Sequence, residues 1–226
     1  MCGLFASQTP NAQPRQYIRL FISIFMHAGV FHLLISLYFQ ITFLRRFEEA
    51  VGTFKIIILY FTSGIVANMA SAIFLPSTPD IGPNGANLGT YSFFYYHFIK
   101  NWNLYKSPCK PFLLNSIYLM IIFLLGASIS WINNFANITG FITGLLLMFS
   151  LSPGKSSDRF KTLSFYISPI VLLSMITFFV YYLLSSYEFD DDFLAKIQHL
   201  NCFLGDNWCK IKTDVDIHLK DLTVRV

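Results

Sequence analysis

The segment IGPNGANLGTY, residues 81–91, places a turn rich in glycine and asparagine directly before an apolar run. Proline and glycine punctuate loops, so this turn marks the start of a helix. A Gly-x-x-Gly turn at the mouth of an apolar helix is also where some membrane enzymes hold a nucleophile. The residue in that position is Asn84, whose amide cannot serve as one.

The composition indicates a membrane protein. Hydrophobic residues make up 54% of the chain and charged residues 12%, against roughly 25% charged residues in ordinary soluble domains. The 25 phenylalanines add more apolar surface than a soluble chain of 226 residues could hide. The apolar surplus must therefore face lipid.

Uncharged stretches predict six membrane-spanning helices, because about 20 apolar residues cross the hydrocarbon core of a bilayer. The uncharged windows are 20–44, 56–79, 81–99, 111–154 and 162–187. The fourth window is too long for one helix and contains a polar break, SISWINN, at residues 128–134. We therefore expect an all-α polytopic bundle over residues 18–187, with the end of a lumenal loop at 1–17 and a lumenal or extracellular tail at 188–226.

Basic residues predict the orientation, since Lys and Arg accumulate in short cytoplasmic loops. Alternate loops carry nine of them and the two loops between carry none; the nine are Arg45, Arg46, Lys55, Lys100, Lys106, Lys110, Lys155, Arg159 and Lys161. This asymmetry places both termini on the lumenal or extracellular side. The net charge of +4 then reflects topology, so membrane lipid is an expected partner and nucleic acid is not.

Two cysteines of the predicted tail, Cys202 and Cys209, are close in sequence and share an oxidising compartment. A disulfide closing the loop CFLGDNWC is therefore expected, with two free thiols as the alternative. Cys109 falls in a predicted cytosolic loop, where it is either a free thiol or a site of palmitoylation. The sequence has no Cys/His spacing typical of a metal site, and we expect neither metal nor cofactor.

His27 and His32 occur five residues apart in the first predicted helix. At 3.6 residues per turn this spacing places them well apart around the helix, so a shared ligand pair is not expected. Membrane histidines are often functional, and a hydrogen-bonded structural histidine is the alternative for each. Gly140 and Gly144 form a small-xxx-small face, which permits close approach of helix backbones.

Taken in order, the motifs HAGVFHLLIS, FEEAVGTFK, GIVANMASAIF, GPNG and NFANITGFITG resemble the rhomboid superfamily along nearly the whole chain. RLFISIFMHAGVFH, SGIVANMASAIFLP and the tail IQHLNCFLGDNWC are most similar to its inactive branch, the iRhoms. The resemblance implies a rhomboid-like bundle in the secretory pathway, with the endoplasmic reticulum as the expected membrane. It also implies that the first family helix and most of a lumenal loop lie upstream, with Cys2 at the end of that loop.

Active rhomboids use a serine in GxSG and a histidine in AHxxGxxxG, and the resemblance assigns these positions to Asn84 and Asn137. An amide is a poor nucleophile and no general base near neutral pH, so a pseudoprotease without the Ser/His dyad is expected. On the oxyanion side His32 matches the family, whereas Ser36 replaces an asparagine and Pro83 lacks a backbone N–H. The two amides could hydrogen-bond to each other or be satisfied separately.

Three classes of function follow from the sequence. By resemblance to iRhoms, the first is an inactive rhomboid that binds single-span transmembrane clients and controls their export, trafficking or degradation. The clients so implied are a TNF-converting type of sheddase metalloprotease and growth-factor precursors. The second class is a rhomboid-type intramembrane serine protease with an atypical active site. A transporter or channel is disfavoured, because Asp80 is the only acidic residue between Glu49 and Asp158.

Overall fold

The uncharged stretches of the sequence form helices in the computed structural model, which describes residues 17–75, 81–128, 132–151 and 159–185 with residues 193, 196, 197 and 201. Every regular element within these residues is helical, as expected. The α-helices are α1 (Ile18–Ile22), α2 (Val30–Phe39), α3 (Arg45–Val51), α4 (Thr53–Phe74), α5 (Asn84–Asn101), α6 (Cys109–Ser128), α7 (Asn134–Leu151) and α8 (Arg159–Ser185). Short 3-10 turns follow α1 and α5, at Ser23–Phe25 and Trp102–Leu104, and a π-helical turn at Gln40–Leu44 joins α2 to α3.

Among the described residues, four helices are long and apolar enough to cross a membrane. They are α4, α6, α7 and the part of α8 at Thr162–Ser185. A bent pair, Ile18–Phe25 with Val30–Val51, would count as a fifth. The remaining predicted span, residues 81–99, forms most of α5 but does not reach this level of apolarity. The structure thus supports four or five of the six predicted spans.

The first predicted span is not one straight helix, because its two parts meet at an angle of 87°. Helical structure stops at Phe25, and Met26 is extended with φ −84° and ψ 149°. Gly29 has φ 151°, in a region that glycine adopts far more readily than other residues. Helix resumes at Val30. The apolar window therefore predicted the helices correctly but not the break between them.

Glycines bring α5 and α7 together at backbone distance. A Cβ atom added to Gly140 would overlap the carbonyl oxygen of Gly85, and one added to Gly144 would overlap that of Gly89. A Cβ on Gly89 would in turn lie 3.0 Å from the carbonyl oxygen of Gly140. The predicted small-xxx-small face of α7 is therefore a packing face, and its partner on α5 has the same four-residue spacing.

Small residues of α4 pack against the same glycines of α5, since Ser63 and Ala67 fill the space that side chains on Gly89 and Gly85 would occupy. Every residue from Gly85 to Phe93 is buried. Two polar side chains here bond within the helix: Thr90 Oγ1 donates to the carbonyl oxygen of Asn87 at 2.8 Å, and Ser92 Oγ donates to that of Gly89 at 2.6 Å. Because α5 is surrounded by protein, it does not need the apolar surface that lipid-facing helices require.

In contrast, α6 is packed loosely, and Gly126 and Ala127 are its only buried residues. Side-chain hydrogen bonds attach it to α5. The hydroxyl of Tyr91 donates to Asn115 Oδ1, and that of Tyr95 donates to Ser116 Oγ at 3.4 Å. The bundle therefore has a tight centre, made of α4, α5 and α7, and a peripheral helix held at a few points.

A substitution of Gly144 by Ala tests the close approach of α5 and α7. The added methyl group would overlap the Gly89 carbonyl, and overpacking of this kind costs about 1–3 kcal/mol. We expect a lower midpoint of thermal unfolding in detergent for Gly144→Ala. Ile142→Ala, on the exposed face of the same helix, is the control and should have little effect. An unchanged midpoint for Gly144→Ala would contradict the observed helix contact.

Candidate functional site

The turn before α5 is fixed by backbone hydrogen bonds. Gly82 has φ 121°, and its N–H donates to the carbonyl oxygen of Ser23 at 3.0 Å. Pro83 is fully buried and precedes the first helical residue, Asn84. Its carbonyl oxygen accepts the N–H of Asn87 at 2.7 Å. The GPNG motif is thereby tied to the bend that follows α1.

His32 and Asn84 are joined by a hydrogen bond, with 3.3 Å between His32 Nε2 and Asn84 Oδ1. The other ring nitrogen, Nδ1, accepts the N–H of Ala28 at 3.3 Å. Because Nδ1 accepts, a neutral imidazole carries its proton on Nε2 and donates it to Asn84. The ring packs directly on Gly82, where a Cβ atom would overlap His32 Cε1.

His27 lies beside His32, so the expectation that the two histidines are well apart was wrong. Their ring centroids are 5.4 Å apart in an edge-to-face arrangement. The expectation assumed a continuous helix, but His27 belongs to the break between Phe25 and Val30. Within the residues that the structure describes, no group of three or more His, Cys, Asp or Glu side chains could hold a metal ion.

Asn137 lies on α7 with 1% of its surface exposed. Its side-chain oxygen has no hydrogen-bond partner within the protein. The preceding residue, Ala136, has its carbonyl oxygen 3.4 Å from a Cβ atom placed on Gly85, so Asn137 lies near the start of α5. The structure contains no hydrogen bond between Asn84 and Asn137; the partner of Asn84 is His32.

Ser36 lies one turn after His32 and is 3% exposed, so both side chains occur on the part of α2 nearest the bundle. Two hydrogen-bond donors around the turn before α5 are engaged within the protein. His32 Nε2–H points to Asn84 and the Gly82 N–H points to Ser23, while Pro83 has no N–H to offer. These bonds stabilise the turn and leave neither of the two donors free for a developing oxyanion.

The start of α7 is held by Asn133, which sequence reasoning did not identify. Its Oδ1 accepts the N–H of Ala136 at 3.1 Å, which is the usual N-cap bond. Its Nδ2 donates to Ser71 Oγ of α4 at 2.6 Å. An asparagine directly before an apolar helix could have indicated this cap.

Asn201 connects the predicted tail to the bundle. Its Oδ1 accepts the N–H of Asn134 at 2.8 Å, and its Nδ2 donates to the carbonyl oxygen of Ile132 at 3.2 Å. These contacts link residues 67 to 69 positions apart in sequence, which a pattern of local residues does not predict. Cys2, Cys202 and Cys209 lie outside the described residues, so the disulfide stays a prediction; Cys109 is exposed and free.

Comparison with known proteins identifies the family of this fold. Residues 14–154 match the Rhomboid domain. The chain belongs to the rhomboid family. It is 36% identical to inactive rhomboid protein 2 of Homo sapiens over 209 residues, which are 90% of this chain and 24% of that protein.

Two further relatives are also inactive rhomboid proteins. Inactive rhomboid protein 1 of Homo sapiens is 36% identical over 190 residues, 80% of this chain and 22% of that protein. Its counterpart in Danio rerio is 39% identical over 159 residues, 70% of this chain and 18% of that protein. The predicted resemblance to the inactive branch of the rhomboids is confirmed. The chain spans 24% or less of the length of these relatives.

By resemblance to rhomboids, the two dyad positions fall near the starts of α5 and α7. The serine position assigned by resemblance is Asn84, and it is occupied in a bond to His32. The histidine position is Asn137, a buried amide. The imidazole of His32 and the amide of Asn84 form a hydrogen-bonded pair that ties α2 to the start of α5.

A double-mutant cycle tests the bond between His32 and Asn84. Interhelical hydrogen bonds in membrane proteins contribute about 0.6 kcal/mol on average, with a maximum near 1.7. We expect His32→Ala and Asn84→Ala each to reduce unfolding free energy, with a coupling of that size between them. His27→Ala paired with Asn84→Ala is the control and should show no coupling. Additive effects of the His32 and Asn84 substitutions would contradict the bond.

Proposed function

We propose that this chain is a catalytically inactive rhomboid that binds the transmembrane helices of single-span client proteins and regulates their export, trafficking or degradation. Amides in the two dyad positions, Asn84 and Asn137, support the loss of proteolysis. The printed names of the relatives, inactive rhomboid proteins 1 and 2, support the same conclusion. The observation that carries it is the bond from His32 to Asn84, which uses the site's imidazole for structure.

Client binding is supported by apolar faces on α2 and α6. Ile35 on α2 is 68% exposed and Ile121 on α6 is 48% exposed. Other exposed apolar residues on the two helices are Leu34, Tyr38, Ile117, Met120 and Leu124. Such faces suit lipid or another transmembrane helix, and α2 also carries His32 of the site. A client helix between α2 and α6 would contact both faces without needing any reactive group.

The proposal includes six crossings of the membrane, with both termini on the lumenal side and the endoplasmic reticulum as the principal membrane. An α5 of 18 residues rises about 27 Å, close to the roughly 30 Å hydrocarbon core. Its polar composition is compatible with crossing because its neighbours α4 and α7 cover it. The charge asymmetry of the loops supports the orientation.

Recognition of a client and cleavage of a peptide bond depend on different groups. The close packing of Gly85 and Gly89 on α7 keeps the helical frame, and it does not involve the side chains in the two dyad positions. By resemblance to iRhoms, the clients are single-span proteins such as a sheddase metalloprotease of the TNF-converting type or growth-factor precursors.

Client binding is tested by co-isolation of the full-length protein with a single-span client from mild detergent. Ile121→Trp, on the exposed face of α6, should reduce recovery of the client several-fold by changing the shape of the binding face. Ile170→Trp, on the exposed face of α8, is the matched control, and Asn84→Ala should have little effect. Equal recovery of the client with Ile121→Trp and Ile170→Trp would contradict client binding at the exposed faces of α2 and α6. Unchanged client maturation after deletion of the protein from its native cells would contradict the trafficking role.

The alternative, a serine protease with an atypical active site, is tested with a serine-directed fluorophosphonate and a rhomboid model substrate. We expect neither labelling nor cleavage. The double variant Asn84→Ser with Asn137→His should also have little activity, because Ser36 and Pro83 still impair oxyanion binding. A heat-treated sample is the control. Labelling of the native protein above that control would favour the protease.

A further inference from the structure

The turn between α5 and α6, residues 100–110, combines exposed basic and apolar side chains. Lys100, Lys106 and Lys110 are exposed. Between them Leu104 is 82% exposed and Trp102 is 40% exposed. We propose that this turn is a binding surface for the headgroups of anionic phospholipids, with lysines contacting the phosphate or carboxylate and the two apolar residues entering the interface. We call this surface, residues 100–110, the α5–α6 turn.

Three contacts hold the α5–α6 turn in a defined shape. Tyr105 stacks on Phe98 with ring centroids 4.7 Å apart and an interplanar angle of 12°. Its hydroxyl is 3.0 Å from His97 Nδ1. Trp102 rests edge-on against Phe112 at 5.9 Å. These contacts anchor one side of the turn, so the exposed Leu104 and the lysines are displayed with less loss of conformational freedom on binding.

The position of the turn favours lipid over a soluble partner. It leads directly into α6, a 20-residue apolar helix that is long enough to cross a membrane. The first residues of such a helix lie at the membrane interface, and the turn before them lies at the same level. Trp and Lys side chains are typical of this interface, where an aromatic ring or an aliphatic stem is apolar and the end is wet. Leu104, exposed at this level, gives the surface an apolar contact that binding to a soluble anion would not require.

Among the described residues, no carboxylate forms a salt bridge with the lysines of the turn. Residues 81–157 contain no Asp or Glu, and the only salt bridge among the described residues joins Arg45 and Glu49. Lys100 has its ammonium group 5.5 Å from the ring centroid of Tyr96, which leaves Lys106 and Lys110 as the principal binding charges. Basic residues close to an anionic membrane surface each favour binding by about 1 kcal/mol, which corresponds to roughly fivefold in affinity.

The proposal is tested by native mass spectrometry of the full chain in detergent, titrated with phosphatidylserine or phosphatidylcholine. We expect a preference for phosphatidylserine that the double variant Lys106→Gln with Lys110→Gln reduces by about tenfold or more. Lys55→Gln with Lys196→Gln removes the same charge elsewhere and is the matched control. Thermal unfolding of each variant reports whether it remains folded. An equal loss of preference in both double variants would assign the effect to net charge and overturn the proposal.

Two further probes separate lipid from other anions. Glycerophosphoserine has the same headgroup without acyl chains and should bind much more weakly. The double variant Trp102→Ala with Leu104→Ala should weaken the binding of phosphatidylserine but leave the weak binding of glycerophosphoserine unchanged. Comparable affinities for the lipid and its soluble headgroup would show that the membrane plays no part and would overturn the proposal. The lipid-free protein can also be titrated with an acidic peptide. Binding of the peptide through Lys106 and Lys110 as tightly as phosphatidylserine would overturn the lipid proposal and indicate a protein partner.

Discussion

The contact between the backbones of α5 and α7 is the constraint on which the rest of the structure depends. Carbonyl oxygens of Gly85 and Gly89 occupy the places where side chains on Gly140 and Gly144 would be, so the two helices fit together only through glycine. This approach encloses α5 and sets the position of the GPNG turn at its start. It also brings Asn137 to the beginning of α5. The four glycines therefore determine how α5 and α7 pack, and this packing determines where the site residues lie.

Within that frame, hydrogen bonds hold the imidazole of His32 beside the start of α5. His32 donates to Asn84 and accepts from Ala28, so both ring nitrogens are used. The amide of Asn84 provides an acceptor where a nucleophile is expected by resemblance. The side-chain oxygen of Asn137 is buried without a hydrogen-bond partner among the described residues. An unpaired buried acceptor lowers the free energy of unfolding. His32 and Asn84 therefore form a structural hydrogen bond at this end of the bundle.

Much of this arrangement could be predicted from the sequence. Apolar windows gave the helices, and the spacing of Gly140 and Gly144 gave the packing face, because both depend on local composition and periodicity. The break at Met26 to Gly29 could not be predicted, since an apolar window has the same composition whether its helix is straight or bent. That break brought His27 against His32, contrary to the expected separation. The role of Asn201 also escaped prediction, because it depends on a contact with α7 that is distant in sequence.

The packing differs between the centre of the bundle and α6. The centre formed by α4, α5 and α7 tolerates little change, as the position of Gly89 between Ser63 and Gly140 requires. By contrast, α6 has only two buried residues, Gly126 and Ala127, and its outer face is exposed. Substitution at Asn84 alters neither the glycine contacts nor the exposed surface of α6. An apolar helix beside a rigid core can repack against a second transmembrane helix, as the proposed client binding requires. Such repacking does not depend on a nucleophile.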